Sequence, residues 1–418
     1  MKTIVKSFFF LIVCAQWTFA NNGSAYSRYG AGEPSLFSTS RAAALGGAGT
    51  ALSADGYVNL INPASLGTVT RTLFNGAYQY RGYRANDGTN SSYLNAGGFL
   101  SAAMAFPVYR PYGIVFAFGL SPVSTIGYHF DLIESSSIGT IEQIFDGRGG
   151  LTAANLALSY SPMTDLFLGA TADYTFGTIT QEQTLSYPNT TYFASDIVRT
   201  MSPHGFTFRF GALHTGIDKA LGLSTTKHLS LGLTLSTGGS LTTEAEELRR
   251  STYSTQVALD STIARPNGTM DLPFGATFGL AYQNSGKLYT AEVQMQQWGD
   301  FKELGVHPAE LQNSLRAGAG IEWLPTRDYT TESYWAQVSL RLGAYAQQTQ
   351  VRVHGTSINE YFGTAGIGLP LGNDARLNLG LEYGVRGTTS SSLIKDNIIR
   401  FTLSISAGDT WFIQPEVE

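Results

Sequence analysis

In its second half this chain repeatedly alternates apolar with polar residues for about ten positions and then turns back on itself. Leu229, Leu231, Leu233 and Leu235 alternate with Ser230, Gly232, Thr234 and Ser236. Leu377, Leu379, Leu381, Tyr383 and Val385 alternate with Asn378, Gly380, Glu382, Gly384 and Arg386. Ile399, Phe401, Leu403 and Ile405 do the same with Arg400, Thr402, Ser404 and Ser406. A period of two puts one set on each face of a β-strand. The polar face carries Glu and Arg among Gly, Ser and Thr. One apolar face and one charge-bearing face, many times over, is the pattern of a closed barrel with lipid outside and water inside.

Composition agrees. Charged residues are only 14% of the chain, with 47 glycines and 22 tyrosines. A lipid-facing surface has little use for charge, a crowded lumen needs small residues, and aromatic girdles favour the interfaces. A soluble exported β-sandwich or lectin-like protein would carry more surface Lys and Glu. The net charge of −5 becomes −7 if Lys2 and Lys6 leave with a leader, and no basic stripe points to a nucleic acid. Residues 1–20 read as a signal peptide, with Lys2 and Lys6 before an apolar run and Thr18-Phe19-Ala20 as the cleavage signal. The single cysteine, Cys14, lies inside it, so the exported chain has no disulfide. A lipobox ending at Cys14 is the weaker reading, because Val13 is bulky there.

The fold class expected is all-β: a transmembrane antiparallel β-barrel of about fourteen strands over residues 71–418, preceded by an N-terminal hatch or plug at 21–70. Strands are expected at 72–83, 92–106, 112–126, 149–161, 165–180, 203–215, 227–240, 272–283, 287–298, 312–323, 334–348, 358–369, 375–387 and 396–406. Residues 254–263 are open to being one more strand or part of a loop. Short connections alternate with long polar ones at 127–148, 181–202, 242–271 and 299–311. Long loops on one rim and short turns on the other place both termini on the periplasmic side of a Gram-negative outer membrane. Inward positions include Asp173, Arg209, Glu292, Arg316, Glu322, Arg341, Glu382, Arg386 and Arg400, a mixed set suited to lumen ion pairs. Tyr80, Tyr109, Tyr112, Tyr128, Trp298, Trp323 and Trp335 fall near strand ends, where headgroup-level rings are expected, with Trp411-Phe412 as a further anchor or assembly signal.

Between Asn21 and Thr70 the alternation disappears. Arg41-Ala42-Ala43-Ala44-Leu45-Gly46-Gly47-Ala48-Gly49-Thr50 is small and compact, with Ser40 placed to cap a short helix and Gly46 or Gly47 to end it. A phosphate cradle is disfavoured, because no strand precedes these glycines and no Walker lysine follows. With Ala54-Asp55 and Asn62-Pro63-Ala64-Ser65-Leu66, the segment resembles the N-terminal hatch of the FadL-type outer-membrane transporters, whose members take up long-chain fatty acids or, in the TodX branch, aromatic hydrocarbons. The motif match is confined to 42–66; the architecture extends it to the rest of the exported chain.

The resemblance implies a passive channel for hydrophobic small molecules, acting as a monomer in outer-membrane lipid after insertion by the barrel assembly machinery. It implies a hatch motif at Gly46, Gly47, Asn62, Pro63 and Ala64, and a bent third strand that opens the wall sideways. Ser121-Pro122 falls in that strand, and proline removes a ladder donor. The strand is also open to ending at Leu120, with Pro122 beginning the loop. Arg209, Arg316 and Arg341 are candidate contacts for a cargo head group. No cofactor is expected. The six histidines are scattered, with no catalytic or metal-ligand spacing, so no enzyme is expected. The competing reading is a non-transporting barrel acting as receptor, scaffold or secretion partner.

Overall fold

The computed structural model describes residues 23–35, 39–54, 56–136, 139–187, 193–224, 228–253, 256–323, 333–372 and 375–409. The leader with Cys14, Asp55 and Trp411-Phe412 lie outside them. Among the described residues are eighteen strands: β1 (Glu33–Pro34), β2 (Thr72–Asn86), β3 (Ser91–Tyr109), β4 (Ile114–Ser136), β5 (Gly139–Met163), β6 (Leu166–Ser186), β7 (Ala194–Thr215), β8 (Leu229–Ser236), β9 (Gly239–Tyr253), β10 (Gln256–Leu272), β11 (Gly275–Asn284), β12 (Lys287–Gln296), β13 (Lys302–Glu303), β14 (Ser314–Trp323), β15 (Ser339–Val353), β16 (Thr356–Pro370), β17 (Ala375–Gly387) and β18 (Lys395–Asp409). One five-residue helix, α1 (Ser40–Ala44), precedes the wall.

Fourteen strands close the ring: all but β1, β9, β10 and β13. Every wall pairing is antiparallel, and β18 meets β2 from Lys395↔Asn86 to Asp409↔Thr72. The fold is the expected all-β barrel. Alternation sorts the faces as expected. Leu156, Leu158, Phe206, Phe208, Phe210 and Leu315 are exposed outward, whereas Glu292, Arg316, Glu322, Arg341, Glu382, Arg386 and Arg400 are buried. Tyr109, Tyr112 and Tyr160 stack successively at the short-turn rim, with centroids 5.6 and 6.4 Å apart.

Three stretches read as loops are largely strand. The β4–β5, β6–β7 and β9–β10 hairpins continue the wall upward, so β4, β5, β6, β7, β9 and β10 form a tall sheet on one side of the ring. Of residues 254–263, left open between strand and loop, 256–263 are strand in β10, and 254–255 lie outside the described residues. In β9 one face is buried and the other exposed, but the outward residues Thr242, Glu244 and Glu246 are polar and the inward set mixes Thr243 and Glu247 with Ala245, so Thr242 to Arg250 lack the apolar half of the alternation. The ring and this sheet part where β8 gives way to β9 at Thr237-Gly238 and β10 to β11 at Pro273-Phe274. Gly238 has a left-handed φ of +66°, and Pro273 has no N–H for a ladder.

Two of the expected girdle residues are not in the girdle. Tyr128 and Trp298 are buried inside, against Ala31, Met270 and Phe301. For Tyr128 the cause is a bulge in β4 between Pro122 and Ser124. Below it Val115 and Ala117 face in; above it Ser124, Ile126 and Tyr128 do. One inserted residue exchanges the faces of everything beyond it.

Candidate functional site

The described residues of 23–70 sit within the ring and touch its inner face on β18, β14, β15, β12, β7 and β4. α1 is capped by Thr39, whose Oγ1 accepts from Ala42 N at 3.3 Å, one residue earlier than the sequence suggested. Ser40 instead points its hydroxyl at Ser404 on β18, 2.6 Å away. Gly46 and Gly47 follow at φ +65° and +81°. A Cβ on Gly46 would meet the carbonyl oxygens of Ala319 and Ala344, and Gly318, Gly320 and Gly343 of the wall receive this turn from the other side. Glycine is required here by close approach as well as by φ.

Asn62 fastens the second motif. Its Oδ1 accepts from Ala64 N at 3.0 Å, while Nδ2 donates to Thr50 O at 2.7 Å and to Ala212 O of β7 at 3.0 Å. Pro63 opens a 3-10 turn through Thr68, where its missing N–H costs nothing. Asn62-Pro63-Ala64 therefore ties the segment to itself and to the wall.

Charge does the rest. Glu292 accepts from the N–H groups of Gly49 and Thr50, at 2.9 and 2.8 Å, and from Arg316 at 2.9 Å. Glu322 pairs with Arg41 and with Arg341, both at 2.7 Å. Glu33 takes Arg386 at 2.6 Å and Arg400 at 3.0 Å. Ser24 Oγ donates to Asp396 at 2.5 Å. Burial alone would raise the Glu33 pKa, but Arg386 and Arg400 outweigh it and hold the carboxyl well below the usual range. Glu33 and Arg41 were not singled out from the sequence. The available signal was that they are rare charges in an otherwise small, neutral stretch.

The wall is incomplete at one place. β3 and β4 pair only from Tyr109↔Ile114 up to Ala102↔Leu120. Above Leu120, β3 keeps its ladder to β2, β4 keeps its ladder to β5, and the two part. Ser121-Pro122 stands where they separate. β4 neither ends at Leu120 nor leaves β5; it bulges and runs on to Ser136. The vacated edge of β4 is occupied from inside: β1 pairs Glu33↔Thr125 and Pro34↔Ser124, and Ser35 N donates to Val123 O at 3.0 Å.

A cavity of about 240 Å³ reaches this split. Leu100, Ser121, Pro122 and Pro34 line it on that side, and Leu60, Ile61, Thr175, Thr207, Arg209 and Gln294 lie across from them. Of the three candidate arginines only Arg209 lines it, donating to Leu60 O at 2.5 Å and to Asp173 at 2.7 Å. Arg316 and Arg341 are buried in the Glu292 and Glu322 pairs that hold the inner segment. No group of three or more metal-ligating residues occurs among the described residues.

Several solved structures of channels share this fold. The Pseudomonas putida toluene transporter TodX aligns at TM-score 0.60 and 16% identity, over 91% of this chain and 99% of its own. The CymD monoaromatic hydrocarbon channel aligns at 0.57 and 13%, over 91% and 98%. A Pseudomonas aeruginosa FadL homologue aligns at 0.58 and 13%, over 88% and 98%. At such identities the likeness is one of fold. No curated protein matches. The family model for BamG matches residues 1–417, so the FadL resemblance read from the hatch motif holds for the fold while the family carries a different name. The chain belongs to the BamG family and has the fold of the FadL-type channels.

Proposed function

We propose that the protein is a passive outer-membrane channel for small hydrophobic molecules that releases them sideways through the β3–β4 split. One observation carries this: an internal cavity ends where two wall strands part, and among the described residues β1 of the inner segment fills that gap beside the cavity. Residues 21–70 act as the hatch, Ser121-Pro122 marks the lateral exit, and the short-turn rim with both termini faces the periplasm. The volume exceeds the ~150 Å³ of an engineered cavity that holds benzene, so one ring fits; an extended acyl chain needs the hatch to move. The lining has Thr175, Thr207, Gln294 and Arg209 beside Leu60, Ile61 and Leu100, which suits a small apolar body bearing one polar group. Arg209 is the contact for that group; Arg316 and Arg341 hold the hatch.

A specific observation favours a second reading as receptor, scaffold or secretion partner: four polar stations, buried or partly buried, fasten the hatch to the wall. Uptake of labelled toluene, decane and oleate by a deletion strain, with and without the restored gene, separates the two. Restored uptake of at least one compound supports the channel. Unchanged uptake of all three removes that reading and leaves the second.

A further inference from the structure

The tall sheet above the ring has two open edges. A barrel strand crosses the hydrocarbon in about 9–11 residues, so β4, entering at Ile114, has left it well before Tyr128. Residues 128–136 of β4 have no ladder partner but β5 among the described residues. On the opposite side, among the described residues, β10 is paired only with β9 above its contact with β13 at Met270 and Asp271.

The edges are not alike. Natural sheets blunt exposed edges with proline, bulges or charge. β10 carries Pro266 inside a register shift between Arg265 and Gly268. The β4 edge reads Tyr128-His129-Phe130-Asp131-Leu132-Ile133-Glu134-Ser135-Ser136, with no proline and no register shift, and its acidic charges, Asp131 and Glu134, leave the ladder itself unbroken. Leu132 and Ile133 are 44% and 66% exposed on it. Lower down, this same edge already accepts a strand: β1 at Ser124 and Thr125, and above that Gly23 N donates to Gly127 O at 2.7 Å. Gly127 thus turns its backbone groups toward the split, and its N–H meets Ser27 Oγ at 3.2 Å. Backbone alternation then points the N–H and C=O of His129, Asp131, Ile133 and Ser135 the same way.

We propose that this edge is a docking site for an extended segment of a partner polypeptide, which adds a strand to β4 over residues 128–136 at the cell surface. Asp131 and Asp146 flank His129, at 3.7 and 2.7 Å, and with Glu134 and Glu142 leave this part of β4 and β5 acidic, which favours a partner strand with basic side chains. A second copy does not fit. An antiparallel pair of two β4 strands needs a twofold axis across them, which would invert one copy in the membrane. A twofold along the strands sets each residue beside itself, which the staggered bonds of a parallel ladder do not allow. The site stands whether or not the barrel conducts.

The test is hydrogen exchange on the full chain, in native outer-membrane fragments and after purification into detergent. Amides of 129, 131, 133 and 135 are expected to exchange at least ~100-fold more slowly in the fragments, with the β10 edge unchanged. Asp131→Pro with Ile133→Pro removes two outward donors and no bond to β5, and should abolish the protection while heat-modifiable mobility persists. Asp131→Lys with Ile133→Lys should do the same if the proline pair fails to fold. Equal exchange in both settings overturns the proposal. Protection that survives these variants, as from a lipopolysaccharide cover, or photo-crosslinks from residue 133 to another copy of the chain, also overturns it.

Discussion

Glu33→Gln should loosen one end of the hatch and leave the rest in place. The Glu33 side chain is 11% exposed and holds two buried guanidinium groups and the Tyr83 hydroxyl, 3.1 Å from its Oε2. Removing one partner of a buried ion pair costs about 3–5 kcal/mol when the other is left bare. Here neither arginine is left bare: Arg386 keeps Glu360 at 2.6 Å, and Arg400 keeps Glu382 at 3.5 Å. The cost should therefore fall below that range, at about 2–3 kcal/mol. At 1.4 kcal/mol per factor of ten, local opening of β1 should rise roughly 30- to 150-fold. The amide of Ser35, bonded to Val123 O, reports this opening by hydrogen exchange. The amides of Gly49 and Thr50, held by Glu292, are the internal control and should not change. If Ser35 exchanges at the wild-type rate, Glu33 is not the fastener. If all three amides accelerate together, the hatch moves as one body and separate stations are the wrong description.

Four more outcomes are expected. Gly46→Ala meets two wall carbonyls and a left-handed φ, and should weaken hatch seating by about 1–3 kcal/mol, read as faster protease nicking within 23–70 while the barrel stays folded. Asn62→Ala strips donors from the buried carbonyls of Thr50 and Ala212 and should cost about 1–3 kcal/mol in the same assay. Phe208→Arg puts a cation on the lipid face of β7 and should cost about 2–4 kcal/mol in reversible unfolding from liposomes if the site is near the midplane. The folded pKa of Glu33 is below its unfolded value, so its contribution is present above the ordinary carboxylate pKa and lost as pH falls through the depressed one. Exchange at Ser35, corrected for the intrinsic rate, should therefore not change between pH 7 and pH 5 and should rise only below about pH 4.

Much of the wall was legible because a barrel in lipid imposes a simple rule on every strand. Leu377 to Val385 and Ile399 to Ile405 show which side faces out, whatever strand lies next to them. The legibility stopped where that rule stopped. Thr242 to Arg250 turn Thr242, Glu244 and Glu246 outward and bury Thr243 and Glu247 with Ala245, so a strand with polar residues on both faces looked like a loop. The inner segment was visible as Ala44 to Gly49 and Asn62 to Ala64, yet the contacts that fasten it to the wall were not.

The sequence by itself determined a closed antiparallel sheet, its lipid face, and a small-residue segment ahead of the first strand, since these depend on local period and composition. Tertiary structure decided the rest. Glu33 meets Arg386 and Arg41 meets Glu322 across hundreds of residues, and such pairings follow only from ring closure and register. One extra residue after Pro122 turned Tyr128 from the membrane to the lumen, and a ladder that ends at Leu120 opened the wall. A pattern of period two records which residues share a face; it does not record a one-residue slip, nor which neighbour a strand releases.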